Sequence, residues 1–178
     1  MSSIPSIETP RLRIRQLTDD DFDFYFNLQS DAEVMRYIRP PEPDPEAVKA
    51  RIAMLYQYAQ DNPGLGSLVA EWKETGQLVA SCVIRHVDFQ PGNELELGYV
   101  IVPEFWGRGL ATEIAEHLAR YAFGQFGVDK VVAVVDPDNL PSQNVLRKCG
   151  FRHVGRRFIY GSDNLEFVLE RPIIAEAG

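Results

Sequence analysis

Residues 96–113 carry the most informative pattern in the chain, the sequence ELGYVIVPEFWGRGLATE. An apolar run typical of a buried strand passes through a turn that contains Gly107 and Gly109, then continues into a helix that begins at Leu110. Small residues at 107, 109 and 111 allow backbone N–H groups to converge at the amino end of this helix. Unpaired donors and the positive end of the helix dipole attract anions there. The pattern therefore predicts a binding site for the pyrophosphate of a phosphorylated cofactor.

Strands and helices can be predicted outward from this turn in both directions. Apolar runs, alternation and turn residues predict strands at 12–17, 65–72, 77–87, 94–102, 131–135, 151–160 and 165–170. Helical periodicity and capping residues predict helices from Phe22, through 48–58, from Leu110 to near Gly127, and a short one that stops at Gly150. The order predicts a single α/β domain over residues 1–178, with antiparallel strands, a strand–helix–strand crossover and a closing hairpin.

Composition excludes several classes of protein. The 178 residues suit one domain, and 18 basic against 26 acidic residues leave a net charge of −8, which disfavours an extended nucleic-acid surface. Cys82 and Cys149 lack metal-ligand spacing, and two thiols do not make a disulfide framework. With neither a signal peptide nor a membrane-spanning run in the sequence, we expect a cytoplasmic protein that binds no metal, nucleic acid or membrane.

Four segments, in this order over nearly the whole chain, resemble the GNAT superfamily of acetyl-CoA-dependent N-acetyltransferases. They are residues 9–15 (TPRLRIR), 31–38 (DAEVMRYI), 96–113 and 139–151 (NLPSQNVLRKCGF). More narrowly, the chain looks like the Rim-type branch, which includes acetyltransferases of ribosomal-protein N-termini. The resemblance implies a GNAT α/β (α+β) fold, in which a mixed, mostly antiparallel sheet with a splayed central parallel pair is flanked by helices. It also implies acetyl-CoA as co-substrate and an amine as acceptor.

The resemblance assigns cofactor contacts to three places. The strand before the turn is expected to be bulged and to diverge from the strand at 131–135, so that backbone groups of Tyr99, Val100, Ile101 and Val102 pair with the pantetheine arm. The pyrophosphate is expected on Gly107, Arg108, Gly109, Leu110, Ala111 and Thr112. Asn139 is expected to contact the pantetheine arm, besides acting as an ordinary helix cap. Trp106 stands where the superfamily usually has Gln or Arg, so phosphate binding is expected to rest on backbone amides.

Acetyl transfer to an alkyl ammonium requires a base, because the protonated amine has no lone pair. Glu96 is the first candidate, since a matching acid recurs at this place in relatives. Glu94 is the second candidate, because strand alternation directs both side chains to the same face. The alternative for both is an exposed polar strand face.

The reaction also requires a donor for the oxyanion and an acid for the departing thiolate. A backbone N–H within 100–102 would serve the oxyanion. Many members of the superfamily use a Tyr as the acid, but this sequence has Leu146 at that position. The resemblance to the Rim-type branch instead implies that the hydroxyl of Ser142 is the acid. The alternative is that Ser142 is simply a residue of the first helical turn.

These observations predict an N-acetyltransferase that acetylates a primary amine by direct attack, with no metal and no acyl-enzyme. The acceptor is either a protein N-terminus or a small-molecule amine, and the protein is a monomer or a homodimer. A second hypothesis is a non-catalytic acyl-CoA-binding sensor or regulatory module. The absence of Tyr at 146 favours the sensor, whereas the pair Glu96 and Ser142 favours the enzyme.

Overall fold

A computed structural model of the protein describes residues 5–172 and shows one eight-stranded sheet. Its strands are β1 (Ile7–Glu8), β2 (Leu12–Gln16), β3 (Gly66–Trp72), β4 (Leu78–His86), β5 (Glu94–Ile101), β6 (Lys130–Val135), β7 (Arg152–Ile159) and β8 (Ser162–Glu170). The spatial order is β1-β2-β3-β4-β5-β6-β8-β7, and only β5 and β6 are parallel neighbours. The predicted mixed, mostly antiparallel sheet with one central parallel pair is confirmed.

Five α-helices in the described part of the chain flank the sheet: α1 (Phe22–Ser30), α2 (Ala32–Met35), α3 (Pro45–Asp61), α4 (Leu110–Phe126) and α5 (Leu140–Lys148). Gly109 and Gly127 bound α4 in the left-handed region, with φ of 75° and 64°, so the predicted ends of this helix are confirmed. Strand β1 and helix α2 were not predicted as separate elements, because their two and four residues are too few to show a period. No helix within residues 5–172 is long and apolar enough to cross a bilayer.

The helices cover different faces of the sheet. Helix α4 packs with the largest core cluster, which includes Leu97 and Ile101 of β5, and Tyr99 packs against the same cluster. Helices α1 and α2 cover the other face, where Leu28 and Met35 pack with Val100. Because strand side chains alternate, β5 directs its even-numbered residues to the α1–α3 side and its odd-numbered residues to the α4 side.

Strands β5 and β6 diverge after a short paired stretch. Their parallel register ends at Glu96 and Val132, although β5 continues to Ile101 and β6 to Val135. The register of β5 with β4 is one-to-one from Leu95 to Ile101, so the predicted bulge is wrong for this side of the strand. The gap opens because β5 stays paired with β4 while β6 stays paired with β8 as far as Val135.

Candidate active site

The glycine turn presents an uncapped helix terminus beside this gap. Gly107 and Gly109 have φ of 72° and 75°, in the left-handed region that glycine adopts at little cost. No side chain caps α4 at Gly109, and the N–H of Glu113 bonds the Gly109 carbonyl at 3.2 Å. A Cβ built on Gly107 would meet no atom within 4 Å. The first-turn amides at 110–112 are therefore accessible to an anion.

A long-range clamp holds this turn in place. Thr9 Oγ1 donates to Glu113 Oε1 at 2.6 Å, and Arg11 Nε donates to Glu113 Oε2 at 2.7 Å. Arg11 Nη1 also donates to the Arg108 carbonyl at 2.8 Å. Although burial opposes the shift, the hydrogen bonds from Thr9 and Arg11 hold the pKa of Glu113 below its ordinary value. No local sequence pattern predicts these contacts, because they join residues about a hundred positions apart.

Arg11 also adds a positive charge at the turn. Its Nη2 lies 3.6 Å from the place where a Cβ on Gly109 would stand. Arg108 is exposed, and its guanidinium carbon lies 4.6 Å from the centre of the Phe105 ring. Two guanidinium groups thus border the helix terminus, and the sequence motif accounted for only one of them.

The backbone of β5 faces the gap at alternate residues. The N–H of Val102 donates to the Val79 carbonyl at 2.9 Å, so backbone groups of Val100 and Val102 point to β4 and those of Tyr99 and Ile101 point away from it. Trp106 Nε1 donates to the Ile101 carbonyl at 2.7 Å, which folds the turn back onto the strand. The Tyr99 amide and carbonyl and the Ile101 amide face the gap. The Val102 N–H pairs with β4 and the Val102 carbonyl accepts from the Phe105 N–H at 3.0 Å, and the cofactor contacts of residues 99–102 stay a prediction.

Ser142 lies beside a tyrosine hydroxyl that the sequence did not reveal. Asn139 Oδ1 accepts from the Ser142 N–H at 3.2 Å, which confirms the helix cap. Tyr99 Oη lies 3.1 Å from Ser142 Oγ, and either hydroxyl can donate. Burial raises the pKa of Tyr99 to about 12, so this phenol remains protonated at neutral pH. Leu146 is buried in the core, and the phenol near Ser142 comes from β5 rather than α5.

Glu96 occupies a buried position on the α1–α3 side, with 5% of its surface exposed. Tyr160 Oη donates to Glu96 Oε2, and Arg85 Nη2 lies 3.4 Å from Glu96 Oε1. Tyr160 and Gly161 form the two-residue turn of the closing hairpin, with φ of 55° and 80°. Burial and the nearby charge of Glu96 raise the pKa of Tyr160 to about 12, so the phenol remains a donor to Glu96.

Glu94 faces different neighbours from those of Glu96. Lys130 Nζ lies 2.5 Å from Glu94 Oε1, and Arg157 Nη2 lies 3.6 Å from Glu94 Oε2. The hydrogen bond from Lys130 and the charge of Arg157 hold the pKa of Glu94 below its ordinary value. Two cations engage Glu94, whereas one, Arg85, lies near Glu96, and each added cation makes a carboxylate a weaker base.

The two thiols are unsuited to nucleophilic catalysis. Burial raises the pKa of Cys82, and burial followed by the charge of Glu116 raises the pKa of Cys149 to about 11. The nucleophilic form of cysteine is the thiolate, which neither side chain favours at neutral pH. Within residues 5–172, no group of three or more His, Cys, Asp or Glu side chains is arranged to hold a metal ion.

Comparison with known proteins identifies the family. The model of the acetyltransferase (GNAT) domain matches residues 11–152. The chain is 33% identical over 161 residues to a Bacillus subtilis (strain 168) protein named uncharacterized N-acetyltransferase YoaA, with 88% of this chain and 89% of the relative covered.

Two solved structures show the same fold. One is Mycobacterium smegmatis RimJ in complex with CoA-disulfide (19% identity, 94% and 87% coverage, TM-score 0.75). The other is spermidine N-acetyltransferase from Vibrio cholerae in complex with CoA and spermine (21% identity, 90% and 95% coverage, TM-score 0.75). Together with the glycine turn and the diverging strands, the family match and the Bacillus relative show that this chain belongs to the GNAT family of N-acetyltransferases.

Proposed function

We propose that the protein transfers the acetyl group of acetyl-CoA directly to a primary amine. The observation that carries this proposal is the separation of β5 from β6 after Glu96, immediately before the uncapped terminus of α4. Backbone hydrogen-bonding groups in the gap suit an extended amide-bearing chain, and the helix terminus suits a pyrophosphate. CoA in the structures of the Mycobacterium and Vibrio proteins supports the choice of ligand.

Acetyl-CoA binding is assigned mainly to the main chain. The pantetheine amides would pair with backbone groups of Tyr99 and Ile101, and Asn139 would border the same arm. The pyrophosphate would accept hydrogen bonds from the amides of Gly107, Arg108, Gly109, Leu110, Ala111 and Thr112. The guanidinium groups of Arg108 and Arg11 would add charge around it.

Glu96 is proposed as the base that removes a proton from the acceptor ammonium, directly or through water. Its carboxylate is buried and is oriented by Tyr160 and Arg85. Glu94 is the weaker candidate because Lys130 engages it. The neutral amine then attacks the thioester carbonyl carbon and forms the new C–N bond.

Collapse of the tetrahedral intermediate breaks the C–S bond and releases CoA, and the attacking nitrogen loses its second proton to water, which leaves a neutral amide. The N–H of Ile101 is proposed as the oxyanion donor, because it is the one amide among 100–102 that faces the gap. Ser142 is proposed to protonate the departing thiolate, and Tyr99 Oη at 3.1 Å would resupply the proton. The raised pKa values of both thiols support direct transfer without an acyl-cysteine.

The test is CoA release from acetyl-CoA in the presence of an amine panel, measured with a thiol reagent and confirmed by the mass of the product. We expect release that depends on both the amine and the enzyme. Tight binding of acetyl-CoA without transfer to any amine or peptide would instead favour a sensor. Failure to bind acetyl-CoA would refute the proposal. The cytoplasmic location and the monomeric or homodimeric state stay predictions.

A further inference from the structure

The charges of three arginines act on the buried phenol of Tyr25, on the Glu96 side of the sheet. Arg51 lies on α3, three residues after Val48 and four before Leu55, and side chains at this spacing share one face of a helix. Val48 and Leu55 on that face pack in the same core cluster as Tyr25. The guanidinium of Arg85 lies 4.3 Å from the centre of the Phe89 ring, and Phe89 packs against the same cluster.

Arg39 joins this group from the segment after α2. Its Nη2 donates to Oε1 of Gln29, which is 4% exposed. Burial raises the pKa of Tyr25, and the charges of Arg39, Arg51 and Arg85 all oppose that rise. The three guanidinium groups therefore come from three separate elements and act on the same buried phenol. We call Arg39, Arg51 and Arg85 the arginine cluster.

The arginine cluster has too few acceptors for its donors. The Nε atoms of all three residues are buried and have no hydrogen-bond acceptor. Within residues 5–172 neither Arg39 nor Arg51 forms an ion pair, and Arg85 pairs only with Glu96, at 3.4 Å. Burial and repulsion from Arg51 lower the pKa of Arg39. Buried N–H donors without acceptors are costly, so a site that retains three of them is suited to an anionic ligand.

We propose that the arginine cluster binds an anionic group of the acceptor itself, so that the acceptor is a small amine carrying a carboxylate or phosphonate. This inference rests on the proposed function. Arg85 contacts Glu96, so one small molecule can present its ammonium to Glu96 and its anion to the arginines. Guanidinium groups pair closely with carboxylate and phosphonate oxygens.

The alternative acceptors lack this complementarity. A polyamine would bring further positive charge to the arginine cluster, and a peptide N-terminus would offer a neutral amide where a free amino acid has its carboxylate. The net charge of −8 attracts cations to the protein at long range. At the site itself, the arginine cluster attracts anions and repels cations instead.

The first experiment compares acceptors that differ in one group. Each common amino acid is assayed beside its amide, and 2-aminoethylphosphonate is assayed beside propylamine. Spermidine is included as a polycationic acceptor. At least one carboxylate or phosphonate acceptor is expected to exceed its neutral counterpart by tenfold or more in kcat/KM, an effect of about the size of one charge-assisted contact. Equal or better turnover of the amides would indicate that the acceptor is a peptide. Preferential turnover of spermidine would indicate a polycationic acceptor. Either result overturns the inference.

The second experiment uses variants of an arginine that does not contact Glu96. Arg51→Gln is expected to raise the KM of the anionic acceptor about tenfold or more, with kcat and the KM of acetyl-CoA within about twofold, and Arg51→Lys should recover part of the loss. Arg120→Gln on α4 is the control, because Arg120 is exposed and its ion pair with Glu116 spans 3.8 Å. Melting temperatures show whether Arg51→Gln is folded. If it is misfolded, Arg39→Lys is used in its place. An unchanged acceptor KM in folded Arg51→Gln contradicts the inference.

Calorimetry separates failure of the inference from failure of the proposed function. If acetyl-CoA binds but no amine is acetylated, only the transfer reaction is refuted. Binding of the same carboxylate and phosphonate probes to the CoA complex then tests the arginine cluster directly. Binding that Arg51→Gln weakens and Arg120→Gln preserves supports it. Absence of binding to the wild-type protein overturns it.

Discussion

The two sides of β5 are built in contrasting ways. On the α4 side, the proposed cofactor region would use main-chain groups from the continuous segment 99–112. On the α1–α3 side, the proposed acceptor region would use side chains from distant elements, among them Arg39, Arg51, Arg85, Glu96 and Tyr160. A backbone amide exists whatever residue carries it, so the first region needs small residues rather than particular functional groups. The second depends on individual charges, and a single substitution can change what it binds.

The largest effect is expected from blocking the main-chain site. Gly109→Glu places a bulky anion where the pyrophosphate is proposed to bind, and we expect acetyl-CoA binding to fall below detection in calorimetry. Gly76→Glu is a matched control, because Gly76 has φ of 73°, compared with 75° at Gly109, and a Cβ added there in the β3–β4 turn would meet no atom within 4 Å. Both variants carry the same backbone strain and the same added charge. Normal affinity in folded Gly109→Glu would show that the pyrophosphate binds elsewhere.

The contrast also explains how much the sequence could predict. Residues 96–113 specify a strand, a left-handed turn and a helix through local rules, so the glycine turn and both ends of α4 were predicted. The contacts of Arg11 with Glu113 and of Tyr99 with Ser142 depend on the tertiary fold, because each joins residues far apart in the chain. No local pattern brings the arginine cluster together. The bulge in β5 was inferred from family resemblance, and continuous pairing with β4 contradicts it.

Removing the proposed base should have the next largest effect. Glu96→Gln keeps the shape of the side chain and is expected to lower kcat about 100-fold, with the loss greater at low pH, where an amine with a pKa of about 10 is more fully protonated. Glu94→Gln should change kcat only a few-fold, because Lys130 and Arg157 already engage that carboxylate. A pH–rate profile of Glu96→Gln identical to that of the wild type would remove Glu96 from the mechanism. A larger loss in Glu94→Gln would reverse the assignment.

A smaller effect is expected at the hydroxyl pair near the departing thiolate. Ser142→Ala should lower kcat about tenfold with little change in acetyl-CoA affinity, because a thiolate can leave without full protonation. Tyr99→Phe removes only the hydroxyl 3.1 Å from Ser142 Oγ and should cost less if it resupplies a proton to Ser142. Measuring steady-state kcat for Ser142→Ala, Tyr99→Phe and the double variant tests whether the loss at Ser142 is the larger one. A greater loss in Tyr99→Phe would make the phenol the acid itself.

The smallest effect concerns the clamp on the glycine turn, and it is expected mainly in stability. Glu113→Gln weakens the bonds from Thr9 and Arg11 and should cost about 2 kcal/mol, or about 5 °C in melting temperature. Because the folded pKa of Glu113 lies below its ordinary value of 4.5, its stabilisation is complete above that pH and is lost as the pH falls through the folded pKa. The wild type should therefore melt about 5 °C above Glu113→Gln at neutral pH, and the two melting temperatures should converge in acid.

Glu116→Gln is the control for this prediction, because Glu116 lies on the same helix and pairs only loosely with exposed Arg120. It should change the melting temperature little at any pH. If Glu113→Gln also raises the KM of acetyl-CoA, the clamp tunes the cofactor site by fixing the turn through Arg11 and the Arg108 carbonyl. The cofactor region would then depend on one long-range side-chain contact as well as on local backbone. A melting temperature equal to that of Glu116→Gln at neutral pH would show instead that the turn holds its shape without the clamp.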